Sequence, residues 1–208
     1  MYPVSDAFLR AVRSNTRKYF WTGTIVTRGG MTYEFGAKEI VKGSGYISRQ
    51  CCGSTEIELG TVYAAEMGIT LLSDIDRYTL EDAQVTLVFH LVLADGSVED
   101  VPMGVFEVSE ANRLAKCLEL KAYDFMLRFD KSFNGFETVG TVYDFIALCC
   151  KRCKVEFANK RAEIDAMPNG GVTLSVYTEN DIETCRDVLF YVAQVPVSYT
   201  HLRAHETS

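Results

Sequence analysis

Apolar residues alternate with polar ones along most of the first 130 positions and recur at helical spacing beyond them; the two patterns meet in the stretch Val101–Asp130. Ser5 or Asp6 caps a short helix carrying Phe8, Leu9 and Val12, ended by Ser14-Asn15. Lys18 to Thr27 and Met31 to Phe35 then form a hairpin turned by Gly29-Gly30. Between Gly36 and Gly53 the glycines allow only short strands and turns. Glu56 to Leu72 reads as one long strand, or as two broken near Gly60 and Gly68.

Gln84 to Ala94 gives the clearest strand, with Val85, Leu87, Phe89, Leu91 and Leu93 on one face and His90 among the residues of the other. Asp95-Gly96 is a two-residue turn into a return strand from Val98 to Val108. Pro102 lacks a backbone donor and Gly104 lacks a side chain, so this strand bulges there or runs along an edge. A turn through Ser109–Asn112 leads to a third strand, Leu114 to Ala122, which completes a meander.

Two later segments share the form Thr-x-x-Asp-apolar-apolar, at Thr141–Ile146 and Thr184–Leu189. Each threonine is placed to cap a helix, and each aspartate, three positions on, to return the bond. The first helix carries Val142, Phe145, Ile146, Cys149, Cys150 and Cys153 as one stripe; the second carries Cys185, Val188, Leu189, Val192 and Ala193. Lys154–Phe157 and Val172–Tyr177 read as strands between them. The fold class is therefore α+β, mainly β. A β-rich domain at 1–130, an antiparallel barrel or sandwich, is followed by a small α+β domain at 131–195.

With 48% hydrophobic and 24% charged residues, the composition is that of a globular protein. The net charge of −7 is spread along the chain and no basic run tracks a phosphate backbone, which argues against nucleic acid as a partner. No apolar run reaches the roughly 20 residues needed to span a bilayer, and the start lacks a basic-then-apolar leader. The seven cysteines lack the spacing of a disulfide framework and read as reduced thiols.

The candidate chemistry is sparse. Gly43-Ser44-Gly45 lacks the Lys-Ser/Thr ending of a phosphate loop and the spacing of a nucleophile elbow. Asp74, Asp76, Glu81 and Asp82 lack calcium-loop spacing and read as a solvated acidic turn. His90 has no evident orienting carboxylate or nucleophile in the sequence and reads as structural or interfacial. Cys149, Cys150 and Cys153 include the Cys-x-x-Cys spacing of a zinc or redox site, but their place in the apolar stripe makes them packed thiols. The expectation is thus no catalytic residue, no metal site and no cofactor.

Residues Val197 to Thr207 resemble a translated sequencing adapter, so 196–208 is expected to be an artefactual, unstructured tail. On that reading His201 and His205 are foreign, and the natural chain is interrupted within its last helix.

Four segments resemble the N-terminal half of bacteriophage and prophage tail hub, or tail-tip, proteins: Glu58–Ala64, Val101–Val108, Ala122–Lys131 and Thr141–Ile146. Their order and spacing carry the resemblance, which extends from about Trp21 to Val195. It implies a first domain related to tail-tube proteins and a homotrimeric ring joining tube to tip. It also implies tube, distal-tail and tape-measure proteins as partners, a place in the virion after synthesis in the host cytoplasm, and no enzymatic activity. The alternative it leaves open is the N-terminal part of a tail-associated peptidase or lysin whose catalytic domain lies beyond this segment.

Overall fold

In the computed structural model, which describes residues 2–50, 60, 62–177, 179 and 181–206 with side chains as far as Pro196, the chain divides into two units. The first comprises Met1–Ser48 and Ala65–Asp124; the second comprises Arg49–Ala64 and Phe125–Ser208. A single handover near residue 130 is the sequence expectation, whereas here the chain passes to the second unit at Arg49, returns at Ala65 and leaves again after Asp124.

In the first unit, Ser5 Oγ accepts from Phe8 N at 3.0 Å and starts helix α1 (Asp6–Val12). Strands β1 (Lys18–Val26) and β2 (Thr32–Phe35) form the expected hairpin. They are followed by β3 (Tyr46–Ser48), β4 (Glu66–Leu72), β5 (Gln84–Val92), β6 (Val98–Leu114) and β7 (Cys117–Tyr123). All seven join one antiparallel sheet in the order β2-β1-β5-β6-β7-β4-β3. Its inward face buries Ile25, Met67, Leu71, Val85, Phe106 and Leu118, so one continuous core lies along the sheet.

Three local readings change. The β5–β6 connection is a three-residue loop: Gly96, at φ +84°, donates to Leu93 O, and Asp95 Oδ1 accepts from Ser97 N and Oγ. Ser109–Asn112 is not a turn. It continues β6 beyond a second irregularity at Val108/Glu110 and pairs with β7 as far as Leu114, so its polar residues mark strand that lies past the core. Gly68 does not break β4 but sits opposite Tyr46, whose ring crosses the space a side chain would take: an added Cβ would lie 2.2 Å from the ring. The irregularity expected at Pro102–Gly104 is present, since Leu87 pairs with Gly104 and Val88 with Pro102, leaving Met103 as the extra residue. Cys51, Cys52 and Glu56–Leu59 lie outside the described residues.

The expected barrel is not closed. From β2 the chain turns at Gly36, whose carbonyl accepts from Glu39 N and Ile40 N, and crosses to the opposite end of the sheet order. There Val41 N donates to Thr70 O, Leu72 N donates to Glu39 O, and Ile40 bridges Leu71. Ser44 Oγ donates to Val41 O and accepts from Thr70 N at 3.1 Å, standing in for a missing rung. This crossover joins the two edges at one end. At the other end, among the described residues, Lys18–Thr22 of β1 pairs only with β5 and Tyr46–Ser48 of β3 only with β4.

The second unit contains β8 (Val139–Gly140), α2 (Val142–Cys153), α3 (Arg161–Asp165), β9 (Leu174–Ser175) and α4 (Cys185–Glu206). Asp144 Oδ2 accepts from Thr141 N and Oγ1, and Asp187 Oδ2 accepts from Thr184 N and Oγ1, which realises both expected caps. Phe145, Cys149 and Val188 from these helices are fully enclosed. Lys154–Phe157 is not a strand: Lys154 closes α2 in the left-handed region at φ 55°, and Val155 and Phe157 pack on the core without a ladder. The strand expected at Val172–Tyr177 is present as the two-residue β9, but its partner is β8, which is two residues long and too short to leave a sequence pattern. The backbone of α4 continues through Pro196 to Glu206, where an unstructured tail is the sequence expectation; Leu202, Arg203, Ala204 and Glu206 are good helix formers that prolong the preceding helix.

Two stability predictions follow from these contacts. Gly23→Ala drives a methyl to 2.3 Å from the Phe35 ring and 2.6 Å from Thr86 O, so urea denaturation should show a loss of about 1–3 kcal/mol. Arg161, followed by the Thr141 amide and hydroxyl, holds the Asp144 carboxyl at about 2 against an ordinary 3.8. Its contribution is present above pH 4, roughly, and is lost as the pH falls through about 2. Asp144→Asn should therefore cost about 1 kcal/mol at neutral pH, and the difference from the parent should shrink on acidification.

Candidate functional site

The open end of the sheet is a cleft of about 540 Å³ within the first unit. Alternation along β1 sends Tyr19, Trp21, Gly23 and Ile25 to the inner face and Lys18, Phe20 and Thr22 to the outer one. Gly23 and Ile25 are sealed in the core, whereas Tyr19 is 53% exposed, since among the described residues no strand covers this half of β1. Trp21 packs edge-on to Phe89 at 5.1 Å between centroids, and Phe8 of α1 reaches the same ring at 6.4 Å. Glu99 anchors the start of α1 by accepting from Ser5 N at 2.8 Å and from Ser5 Oγ at 2.5 Å. Across the cleft stand Tyr46 and Ile47 of β3, above a floor of Ile69 and Leu87. Among the described residues, the charged side chains lining it are Arg17, Lys18 and Lys42, all cationic.

Tyr46 is held upright at this mouth. Its hydroxyl donates to Glu66 Oε1 at 2.6 Å, and Lys121 Nζ lies 3.3 Å from Glu66 Oε2. The bond to Glu66 raises the Tyr46 phenol and lowers the Glu66 carboxyl from their ordinary ranges.

His90 lies on the outer face of the same sheet and has the partners that the sequence does not reveal. Its Nδ1 is 2.6 Å from Asp100 Oδ1, its Nε2 is 2.7 Å from Thr22 Oγ1, and its ring stacks on Phe20 at 4.5 Å between centroids. In the neutral imidazole, the carboxylate fixes the proton on Nδ1 and the hydroxyl donates to Nε2. Asp100 is legible in retrospect, because a hairpin centred on Asp95 pairs residue 90 with residue 100. Thr22 comes from β1, a long-range pairing that no local spacing encodes. A hydroxyl beside a carboxylate-oriented imidazole is the minimum of a nucleophile–base pair. Here it ties three neighbouring strands together across the outer face.

Asp76, Asp82 and the clustered thiols have structural roles. Asp76 Oδ1 accepts from Tyr78 N and caps a 3₁₀ turn at Arg77–Leu80, and Asp82 pairs with Arg28 at 3.4 Å. Cys149, Cys150 and Cys153 line the buried face of α2, as their spacing predicts, and are joined by Cys185 from the start of α4. Burial, followed by the Cys185 thiol, raises Cys149, and burial likewise pushes Cys153 up to about 12. The thiolate that a metal or disulfide exchange requires is thereby disfavoured. Among the described residues, no group of three or more His, Cys, Asp or Glu side chains is arranged to hold a metal ion, and no helix is long and apolar enough to cross a membrane.

Comparison with protein-family models and with curated proteins gives no match. Among solved structures, the chain is similar to one from the virion of a native gene transfer agent particle, with a TM-score of 0.41 and 11% identity. The match covers 64% of this chain and 49% of that one, so the chain spans about half the length of its neighbour.

The thiol cluster makes a checkable prediction. Cys149 and Cys153 titrate well above the ordinary 9.0 when folded, so they stabilise the fold fully below pH 9 and progressively less as the pH rises toward about 12. Native protein at pH 8, roughly, should leave both thiols unreacted with a disulfide reagent until denaturant is added. The urea midpoint should fall more steeply on alkalinisation in the parent than in Cys153→Ala.

Proposed function

We propose that the protein is a structural component of a phage-type tail, in the tip or baseplate hub, and acts through assembly and not through chemistry of its own. The observation that carries this reading is the ordered set of segments resembling tail hub proteins. The three that fall largely within the described residues coincide with specific devices of the fold. Val101–Val108 is the bulged part of β6, Ala122–Lys131 runs from the end of β7 through the 3₁₀ turns at Phe125–Asp130, and Thr141–Ile146 is the capped start of α2.

The surface of the first unit supports the same reading. Tyr19, Phe20 and Tyr46, which are 53%, 36% and 48% exposed, cluster around an unclosed sheet edge. Exposed apolar residues beside unpaired strand edges are what a subunit presents to its neighbours. The proposed assembly is a homotrimeric ring between tail tube and tip, contacting tube, distal-tail and tape-measure proteins within the virion.

Light scattering coupled to size exclusion, with negative-stain microscopy of the same fractions, tests this. Concentration-dependent oligomers with ring-shaped particles are expected. A monodisperse monomer at about 100 µM, a concentration at which assemblies of micromolar affinity are populated, would overturn it. Incubation with peptidoglycan or casein is expected to release no product.

A further inference from the structure

We infer that the cleft between β1 and β3 is an acceptor for an extended segment of another polypeptide, one that alternates acidic and apolar residues and completes the sheet as an added strand. Among the described residues, both walls of the cleft are strand edges paired on one side only: Lys18–Thr22 of β1 and Tyr46–Ser48 of β3. Such edges carry main-chain donors and acceptors at the spacing of a β ladder. An added strand occupies about 160 Å³ per residue, from a strand spacing of about 4.8 Å, a layer of about 10 Å and a rise of about 3.3 Å. The cleft of about 540 Å³ therefore matches about three residues, which is also the length of β3.

Side-chain chemistry selects the occupant. Residues of the added strand that point inward meet Tyr19, Trp21 and the core floor, which suit β-branched or aromatic side chains. Residues that point outward meet the rim, where Arg17, Lys18 and Lys42 stand with no carboxylate among the described lining residues, on a chain whose net charge is −7. Charge complementarity thus favours glutamate or aspartate at the outward positions.

The inference deepens the assembly reading by naming the kind of segment a neighbour supplies, and it rests on that reading only for the source of the strand. Trp21 is the single tryptophan of the chain and lines the cleft, so its emission reports occupancy directly. The full chain would be titrated with a peptide of about six residues alternating glutamate with valine, long enough to span the cleft. Saturable change in Trp21 emission is expected. N-methylation of alternate peptide amides removes the ladder donors and should weaken binding about tenfold or more, as should lysine in place of glutamate. The double variant Lys18→Glu/Lys42→Glu should weaken it by about tenfold; if that variant fails to fold, a fall in parent affinity with added sodium chloride gives the same decision. No saturable response, or equal binding of the N-methylated or lysine peptide, overturns the inference, the latter marking a site for small apolar ligands. A chain that self-associates yet ignores the peptide sinks this inference alone; a strict monomer that takes it sinks only the assembly reading.

Discussion

The first unit depends on one crossover. By carrying the chain from β2 at one end of the sheet order to β4 near the other, the segment Gly36–Ser44 forces the sheet to curl and lets its inner face close over a single core. The link is backbone-built: rungs from Val41 and Leu72, a bridge at Ile40, and the Ser44 hydroxyl in place of a further rung. Because the crossover consumes the edges at one end only, the other end stays open, and the aromatic residues that would otherwise fill a barrel interior become the wall of a cleft. The Met103 bulge adds local twist to the central β5–β6 pair.

In the second unit the organising contact is Arg186. Its guanidinium donates to Val62 O at 2.5 Å, Met126 O at 2.8 Å and Asp130 Oδ1 at 2.5 Å, binding the start of α4 to two distant segments. Val62 lies in the segment that groups with the helices and not with the strands that flank it in sequence. Gly60, in the left-handed region at φ +84°, allows the same segment to approach α4: a Cβ there would meet Gln194 at 2.7 Å and Phe190 O at 2.8 Å. The reciprocal Thr–Asp caps fix where α2 and α4 begin, and the four thiols fill the space between them.

What was legible in the sequence is what local physics decides. The caps at Ser5, Thr141 and Thr184, the β1–β2 hairpin, the inward face of β5 and the bulge near Pro102 each follow from a few adjacent residues. What was not legible depends on long-range pairing. The sheet order, the return of Arg49–Ala64 to the second unit and the Thr22–His90 contact all require strands or segments far apart in sequence. Polarity also misled where it reflected exposure: Ser109–Asn112 is polar because β6 runs past the core, not because the chain turns. The open cleft was invisible for the same reason, since Lys18–Trp21 reads as ordinary strand and only its missing neighbour makes it a site.

The strand that we infer another polypeptide supplies would lie on the edges at Lys18–Thr22 of β1 and Tyr46–Ser48 of β3. Peptide-resolved hydrogen–deuterium exchange across a concentration series measures that directly at the two edges. Amides of Lys18–Thr22 and Tyr46–Ser48 should exchange faster than those of central β5 and β6 in dilute protein, and become protected as the protein assembles. Edges already as protected as the central strands in dilute protein, or still unprotected in the assembled state, would contradict it.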